Sequence, residues 1–363
     1  MSRHKLLIDG REFVPGKRTG IGRFLEGLLD ALMDSELDLE VFLAVSSKDA
    51  IPHKLRDEKK TKTKTLPAGF LASEKALTDL TKENIAFLLS PYPKLPLLGS
   101  YCPAINTIHD VLDLTHPAYK KRVRTFFDRF RLKLALRKAS LTWYDSRWSL
   151  RETENCVGFV GKNPRVRYLA IDESFKESTG KNDHTVLSKH QLAPGYVIAI
   201  GNGLPHKNLG AILTIANSFS RQIVFVGVSE KNQTYWQSRY QNVNTSWIAH
   251  VSDEDLPALI RGAFCLVQPS TAEGYGYPPL EAMACGIPAI VSEVPVLLET
   301  TGSQALSADP HSPKSWLQVM EALEDENVYQ NQVQKGLQWV EPMRRHKGWE
   351  KHISDVDEFL KGM

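Results

Sequence analysis

The sequence predicts an α/β protein built from two parallel-sheet domains. Short apolar runs alternate with helix-length segments along nearly all of its 363 residues, a pattern typical of parallel sheets with helices on both faces. The alternation stops once, between about residues 171 and 194, where the chain is polar and rich in turn formers. The length suffices for two domains of ordinary size, so we expect a linker there and one sheet on each side.

Composition and charge are those of a globular protein. Hydrophobic residues make up 42% and charged residues 24% of the chain, and the formal net charge of +3 is too small to indicate nucleic acid as a partner. No signal peptide or membrane-spanning run is recognised, and the four cysteines are scattered without metal-ligand spacing. We therefore expect a cytoplasmic protein with reduced thiols.

Ten apolar runs are predicted to be strands, five in each half of the chain. Those of the first half are Lys5–Asp9, Glu40–Val45, Ala86–Leu89, Ala104–His109 and Leu141–Tyr144. Those of the second half are Tyr196–Gly201, Gln222–Val226, Thr245–Ile248, Cys265–Gln268 and Ala289–Ser292. The charge-dense tract His53–Thr65 is expected to be a surface loop. Ligands of parallel sheets bind beyond the carboxyl ends of the strands, so we expect the functional residues to follow these runs.

The segment Ser270–Ser292, "STAEGYGYPPLEAMACGIPAIVS", carries two glutamates among glycines and apolar residues. Pro279 suits the first turn of a helix and Gly286 the position just past its end, so Glu273 falls on a loop and Glu281 in a first helical turn. A buried carboxylate needs a partner, and glycines beside a helix start let a ligand approach the backbone. Glu281 taken alone is also explained as a stabiliser of the helix dipole.

The run from Glu273 to Pro288 resembles the Glu-x7-Glu signature of retaining, family-4-type glycosyltransferases with the GT-B fold. Other segments agree with this family in order and spacing, from about Asp9 to Trp349. The resemblance implies two Rossmann-like domains that face a central cleft. It implies an acceptor-side domain over residues 1–175, joined by a returning C-terminal helix at about 343–363, and a nucleotide-sugar donor domain over residues 190–342.

The resemblance also assigns roles in the donor domain. Glu281 would hold the ribose hydroxyls of the donor, and Glu273 would face the hydroxyls of the sugar. In "IGNGLPHKNLGAIL", Lys207 would neutralise the diphosphate, since stabilising developing charge on the leaving phosphate is usually the largest catalytic contribution. Lys207 can also be a solvated lysine at a helix start. The loop residues that would complete the donor site are Asn202, where many relatives carry arginine, Gly203, Gly274, Tyr275, Gly276 and Tyr277.

In the first domain the resemblance singles out "TIHDVLDLTHP", Thr107–Pro117. His109 would face the transferred sugar and act in catalysis, and Asp110 would lie beside the acceptor. Without the resemblance, a histidine at a strand end is more often a structural hydrogen-bonding residue. Asp110 is assigned on the resemblance alone.

Two further segments of the first domain match the family. In "GKRTGIGRF", Gly20 and Gly22 would let the backbone approach the donor phosphate or the acceptor, and Arg23 is either an acceptor-side residue or a surface charge. A Rossmann dinucleotide fingerprint is excluded because Leu25 occupies the place of the third glycine. In "YDSRWSL", Arg147 faces either the donor phosphates or solvent.

Tyr119–Lys138 predicts a basic amphipathic helix. At helical spacing Val123, Phe127, Phe130 and Leu134 form one face, and arginines and lysines flank it. Such a helix can lie on an anionic membrane or bind a polyprenyl-diphosphate-linked acceptor. It can equally pack its apolar face on the core and expose a basic back.

The resemblance implies transfer of a hexose from a UDP- or GDP-hexose to a hydroxyl of a glycan or lipid-linked acceptor, with retention of configuration. The expected setting is cell-surface polysaccharide synthesis, in the cytoplasm or at the inner face of the membrane. No metal and no cofactor besides the donor are expected, because Lys207 and helix dipoles replace a metal in the GT-B scheme. A sugar-nucleotide epimerase and a catalytically silent nucleotide- or partner-binding subunit remain as alternatives.

Overall fold

The computed structural model describes residues 3–15, 19–52, 55–56, 61–117, 119, 122–177 and 183–362. The chain divides into two compact units, one formed by Met1–Ala170 with Arg345–Met363 and the other by Ile171–Arg344. Each unit holds one parallel sheet with helices, which confirms the predicted α/β fold class with two Rossmann-like sheets.

The sheet of the first unit has seven parallel strands in the order β3-β2-β1-β4-β5-β6-β7 among the described residues. Its strands are β1 His4–Asp9, β2 Leu39–Val45, β3 Thr61–Thr65, β4 Phe87–Ser90, β5 Ala104–Ile108, β6 Leu141–Tyr144 and β7 Pro164–Val166. The strand order reverses between β1 and β4, and ligands of such sheets bind beyond the strand ends at this switch point. The loops after β1, β4 and β5 are therefore where a ligand of this unit is expected.

The prediction of a surface loop over His53–Thr65 is wrong at its end, since Thr61–Thr65 forms the edge strand β3. Much of the rest of that tract lies outside the described residues. β3 alternates threonine with lysine, so it lacks the apolar run by which buried strands are recognised. Lysines are common on edge strands because they discourage pairing with other chains.

The helices of the first unit come from both ends of the chain. They are α1 Gly20–Asp34, α2 Phe70–Leu80, α3 Leu112–Thr115, α4 Arg122–Lys138, α5 Arg147–Val157, α14 Arg345–Gly348 and α15 Glu350–Lys361. Trp349, just before α15, is buried and packs its ring 5.6 Å from the ring of Phe24 on α1. A Cβ on Gly27 would lie 2.9 Å from the Trp349 ring, so glycine makes room for the tryptophan.

A buried carboxylate joins α15 to the sheet. Asp355 accepts hydrogen bonds from Trp143 Nε1 at 2.8 Å and from Arg167 Nε at 2.7 Å. Arg165 donates to the same carboxylate and reaches Glu358 as well. Burial raises the pKa of Asp355, but its hydrogen bonds with Arg167 and Arg165 outweigh this, so the pKa lies below its usual value.

The sheet of the second unit has six parallel strands in the order β10-β9-β8-β11-β12-β13 among the described residues. Its strands are β8 Tyr196–Ile200, β9 Ile223–Val226, β10 Thr245–Ile248, β11 Ala263–Gln268, β12 Ala289–Ser292 and β13 Leu306–Ala308. Its helices are α6 Asp183–Lys189, α7 Leu209–Leu213, α8 Glu230–Gln237, α9 Leu256–Arg261, α10 Tyr277–Ala284, α11 Pro295–Thr300, α12 Pro313–Ala322 and α13 Glu326–Val340. The predicted linker contains α6, whose Asp183 accepts two hydrogen bonds of 2.7 Å from Arg261 on α9.

Candidate functional site

The loop between β11 and α10 is shaped by one glycine. Gly276 has φ of 93°, and a Cβ built on it would lie 2.4 Å from Leu297 Cδ2, so both conformation and space require glycine. α10 begins at the next residue, Tyr277, and carries Pro278 and Pro279 in its first turn. Tyr275, on the same loop, is buried, and Thr300 Oγ1 donates to its carbonyl oxygen at 3.1 Å.

Glu281 lies deeper in α10 than predicted. The helix begins at Tyr277, two residues before Pro279, so Glu281 is its fifth residue and the first turn holds no acidic residue. The placement in the first turn is therefore wrong, and stabilisation of the helix dipole, which falls off within that turn, explains Glu281 poorly. Glu281 is nevertheless buried, with a relative exposure of 1% for the whole residue.

Glu273 is a buried carboxylate with three donors around one oxygen. Its Oε1 accepts from Lys207 Nζ at 2.7 Å, from Ser270 Oγ at 2.5 Å and from Gln268 Nε2. Burial raises the pKa of Glu273, but the charge and hydrogen bond of Lys207 outweigh this, so its pKa lies below the usual value. Glu273 is thus ionised at neutral pH and paired with a cation.

Lys207 is brought to Glu273 because β8 and β11 are neighbours in the sheet. The lysine ends a short 3₁₀ turn, Pro205–Lys207, that follows β8, and the glutamate lies on the loop that follows β11. Asn208, at φ of 51°, connects this turn to the loop after β11, because its Nδ2 donates to Pro269 O at 3.0 Å. The two charged side chains therefore lie at the carboxyl edge of the sheet, where ligands of such sheets bind.

The remaining predicted residues of the β8 loop have backbone roles in this structure. Asn202 is exposed, and its Oδ1 accepts from Leu204 N at 3.1 Å. Gly203 has φ of 70°, and a Cβ on it would lie 2.8 Å from Val228. Both residues therefore shape the loop that carries Lys207.

Gln268 and Ser270 were not predicted as site residues, yet both donate to Glu273. Gln268 ends β11 and is almost fully buried. A buried polar residue needs hydrogen-bonding partners. The glutamine at the end of an apolar strand could therefore have indicated a polar site at this position.

In the first unit, His109 follows β5 and is paired with a residue that was also not predicted. Its Nδ1 lies 2.5 Å from Asp145 Oδ2, and its Nε2 lies 3.2 Å from Pro91 O. The ring meets Phe24 edge-on at 4.8 Å. Burial lowers the pKa of His109, but the charge and hydrogen bond of Asp145 outweigh this, so its pKa lies above the usual value.

The other residues predicted for the first unit lie at the starts of helices. Asp110 Oδ1 accepts from Leu112 N at 2.9 Å, and burial raises its pKa. Gly22 N donates to Thr19 Oγ1 at 3.0 Å at the start of α1, whereas a Cβ on Gly20 would meet nothing within 4 Å. Two arginines also lie there, Arg23 half-buried on α1 and Arg147 exposed at the first position of α5.

Part of the predicted apolar face of α4 is exposed, although Leu134 on the same face is half-buried. Phe127 and Phe130, which lie on it, are 60% and 56% exposed, and neighbouring Phe126 is 70% exposed. The residues of α4 that are buried are Leu132, Ala135 and Leu136. The alternative in which this face packs on the core is therefore wrong for Phe127 and Phe130. The Val123 side chain, also on this face, lies outside the described part of the chain.

Two features are absent from the described residues. No helix among them is both long and apolar enough to cross a membrane. They also contain no cluster of three or more histidine, cysteine, aspartate or glutamate side chains arranged for a metal ion.

Comparison with known proteins supports the same family that the motifs indicate. Residues 185–339 match the family described as glycosyl transferases group 1. The chain is 28% identical over 348 residues to the O-antigen chain mannosyltransferase B of Escherichia coli, covering 88% of this chain and 91% of that protein.

Solved structures share the fold over the whole chain. Sucrose-phosphate synthase from Thermosynechococcus elongatus superposes with a TM-score of 0.80 at 15% identity, covering 99% of both chains. The Anabaena protein HepE, crystallised in complex with UDP, superposes with a TM-score of 0.75 at 16% identity, covering 99% of this chain and 100% of its own. These findings confirm the predicted glycosyltransferase and its GT-B fold.

Proposed function

We propose that this glycosyltransferase moves a hexose from a UDP- or GDP-hexose to a hydroxyl of a glycan or lipid-linked acceptor, in cell-surface polysaccharide synthesis. The observation that carries the proposal is the ion pair of Lys207 with the buried Glu273 at the carboxyl edge of the donor-unit sheet. A fixed cation beside a fixed carboxylate suits two adjoining groups of a nucleotide-sugar, its diphosphate and its hexose. The name of the E. coli relative supports mannose as the first hexose to test.

In this proposal each residue of the donor unit has one role. Lys207 donates to the diphosphate, Glu281 accepts from the two ribose hydroxyls, and Glu273 accepts from hydroxyls of the hexose. The backbone amides of Gly274–Tyr277 help to hold the sugar. The left-handed conformation of Gly276 supports this last role, because it fixes the course of the loop that carries these amides.

The proposed transfer retains the configuration at the anomeric carbon. The bond from that carbon to the phosphate oxygen breaks, and the bond to the acceptor oxygen forms on the same face of the sugar. The proton of the acceptor hydroxyl passes to the leaving phosphate. The ion pair of Glu273 supports this scheme over a covalent intermediate, because a carboxylate held by a lysine is a weak nucleophile.

Lys207 supplies the positive charge that a metal supplies in other transferases, so we propose that transfer is metal-independent. The test is the rate of transfer in excess EDTA, with the anomer of the product assigned by NMR. Unchanged rate and retained configuration are expected. Loss of activity that returns with a divalent ion, or an inverted product, would overturn these two parts of the proposal.

The donor site is tested by thermal shift with UDP, GDP, ADP and TDP and their common sugars. A shift for one nucleotide is expected in the wild type and lost in Glu281→Ala. The exposed Glu321→Ala, on α12 of the same unit, is the matched control and keeps the shift. No shift for any nucleotide in the wild type would favour a silent subunit.

We also propose that the protein is a peripheral membrane protein on the cytoplasmic face and meets the bilayer through α4. The helix carries seven basic residues and one acidic residue, and Phe126, Phe127 and Phe130 are exposed on it. Exposed aromatic rings among cations are the features by which interfacial helices bind anionic lipids. This contact would hold the enzyme close to a polyprenyl-diphosphate-linked acceptor.

A further inference from the structure

One turn of the first unit holds both the side chain and the backbone of His109. This turn, Asp145–Ser149, follows β6, the neighbour of the strand that His109 follows. Asp145 Oδ2 lies 2.5 Å from His109 Nδ1, and Ser149 Oγ donates to the His109 carbonyl oxygen at 2.7 Å. Ser149 is itself fixed, because its backbone N–H donates to Ser146 Oγ at 2.9 Å.

We infer that Asp145 is a positioning residue for His109: it keeps the ring doubly protonated and turns Nε2 to the transferred sugar. The inference rests on the proposed function and on the role that the family resemblance implies for His109, which is to face that sugar. Asp145 does not touch the donor in this scheme and acts only through the imidazole. No motif of the sequence assigned it a role.

Both ring nitrogens of His109 face acceptors. Nδ1 faces the Asp145 carboxylate, and Nε2 lies 3.2 Å from the carbonyl oxygen of Pro91, so each position is suited to an N–H donor. Only the imidazolium carries two such donors. The bond to Pro91 is the weaker of the two, so Nε2–H can leave it for a sugar hydroxyl without any transfer of the proton.

The surrounding charges favour the same protonation state. Asp145 and Asp110 both attract a proton to His109, which raises the pKa of His109 although burial acts the other way. His352, on α15, is also near, and burial lowers its pKa to about 3, so it is neutral and does not repel the imidazolium. Burial raises the pKa of Asp145, and its Oδ1 has no hydrogen-bond partner among the described residues, so His109 is the cation that favours its ionised form.

The first experiment follows the ring nitrogens of His109 directly by ¹⁵N NMR on histidine-labelled protein, assigned with His109→Gln. The wild type is expected to show the doubly protonated ring at neutral pH, and Asp145→Asn to titrate at lower pH. This readout needs neither donor nor activity, so it stands even if the proposed function fails. A neutral His109 in the wild type, or an unchanged titration in Asp145→Asn, would overturn the inference.

Transfer kinetics provide the second readout. Loss of the partner that orients a metal-bound imidazole costs about 10–100-fold, and we expect a similar fall in kcat for Asp145→Asn. The alkaline limb of the kcat profile should move to lower pH, whereas the thermal shift by nucleotide stays unchanged. Asp79→Asn, which removes an exposed ion pair with Lys82 in the same unit, is the control. If kcat of Asp145→Asn falls as expected but the alkaline limb of its pH profile stays at the wild-type position, Asp145 has only a structural role. That result would overturn the inference.

Discussion

Lys207 Nζ lies 2.7 Å from Glu273 Oε1, although the two residues are 66 positions apart in the chain. Both side chains are largely buried, with exposed fractions of 16% and 9%. Each charge therefore compensates for the desolvation of the other, and removing one leaves the other buried and unpaired. The pair ties the conformation of the loop after β8 to that of the loop after β11.

Lys207→Met should destabilise the protein and abolish transfer. Glu273 keeps its burial but loses its cation, so its pKa rises and the free energy of unfolding falls by roughly 3 kcal/mol, as for other broken buried pairs. Chemical denaturation and initial-rate assays measure both effects. The exposed Lys231→Met, on α8 of the same unit, should change neither. An unaltered unfolding midpoint would show that the pair contributes nothing to stability.

The same pair predicts an acid-sensitive donor unit. The folded-state pKa of Glu273 lies below its ordinary value of 4.5, so the stabilisation is complete above that value. It is lost as pH falls through the folded-state pKa. Melting temperature measured from pH 7 downward should therefore fall less steeply in Glu273→Gln than in the wild type. The exposed Glu321→Gln should follow the wild-type curve, and coincident slopes for all three proteins would contradict the prediction.

Gly276→Ala should strain the donor loop. The residue has φ of 93°, and its new Cβ would lie 2.4 Å from Leu297 Cδ2. A residue held in such a conformation costs about 1–3 kcal/mol, so the melting temperature falls and the nucleotide shift weakens. Gly20→Ala is the stability control, because a Cβ there meets nothing within 4 Å. Equal melting temperatures for the two variants would show that alanine at position 276 does not strain the loop.

The sequence predicts the sheets well because their central strands are buried on both faces and read as apolar runs. The strand β1, with Leu6, Leu7 and Ile8 buried, is an example. The strands that were not predicted are β3, β7 and β13, which are polar or only three residues long. They lie at the sheet edges, where neighbours rather than their own composition decide the conformation.

The site was predictable only where one segment carries the information. Glu273 and Glu281 stand eight positions apart in one motif, whereas Asp145 lies 36 positions from His109 and meets it only after β5 and β6 pair. The exposure of Phe127 and Phe130 could not be predicted for a related reason. Helical spacing identifies an apolar face, but it does not say which face the sheet covers.

Asp355→Ala should destabilise the first unit strongly. The substitution leaves Arg167 and Trp143 Nε1 without their shared acceptor, and breaking a buried ion pair costs about 3–5 kcal/mol. Urea denaturation measures the loss. Asp357→Ala, two positions along the same helix, removes an exposed pair with Lys361 and should cost under about 1 kcal/mol. Similar losses for the two variants would mean that the network adds no more than a surface pair.

The exposed rings of α4 should govern vesicle binding without contributing to the fold. Phe126→Ser with Phe127→Ser removes two side chains that are 70% and 60% exposed, so the melting temperature should stay near that of the wild type. Flotation with vesicles of phosphatidylglycerol and phosphatidylcholine should then show weaker binding by the double variant. Tyr235→Ser, which removes a 48% exposed ring from α8 of the other unit, is the matched control. Binding should weaken with salt as the Debye length falls to about 8 Å near physiological ionic strength, and wild-type protein that stays unbound even at low salt would exclude the membrane contact.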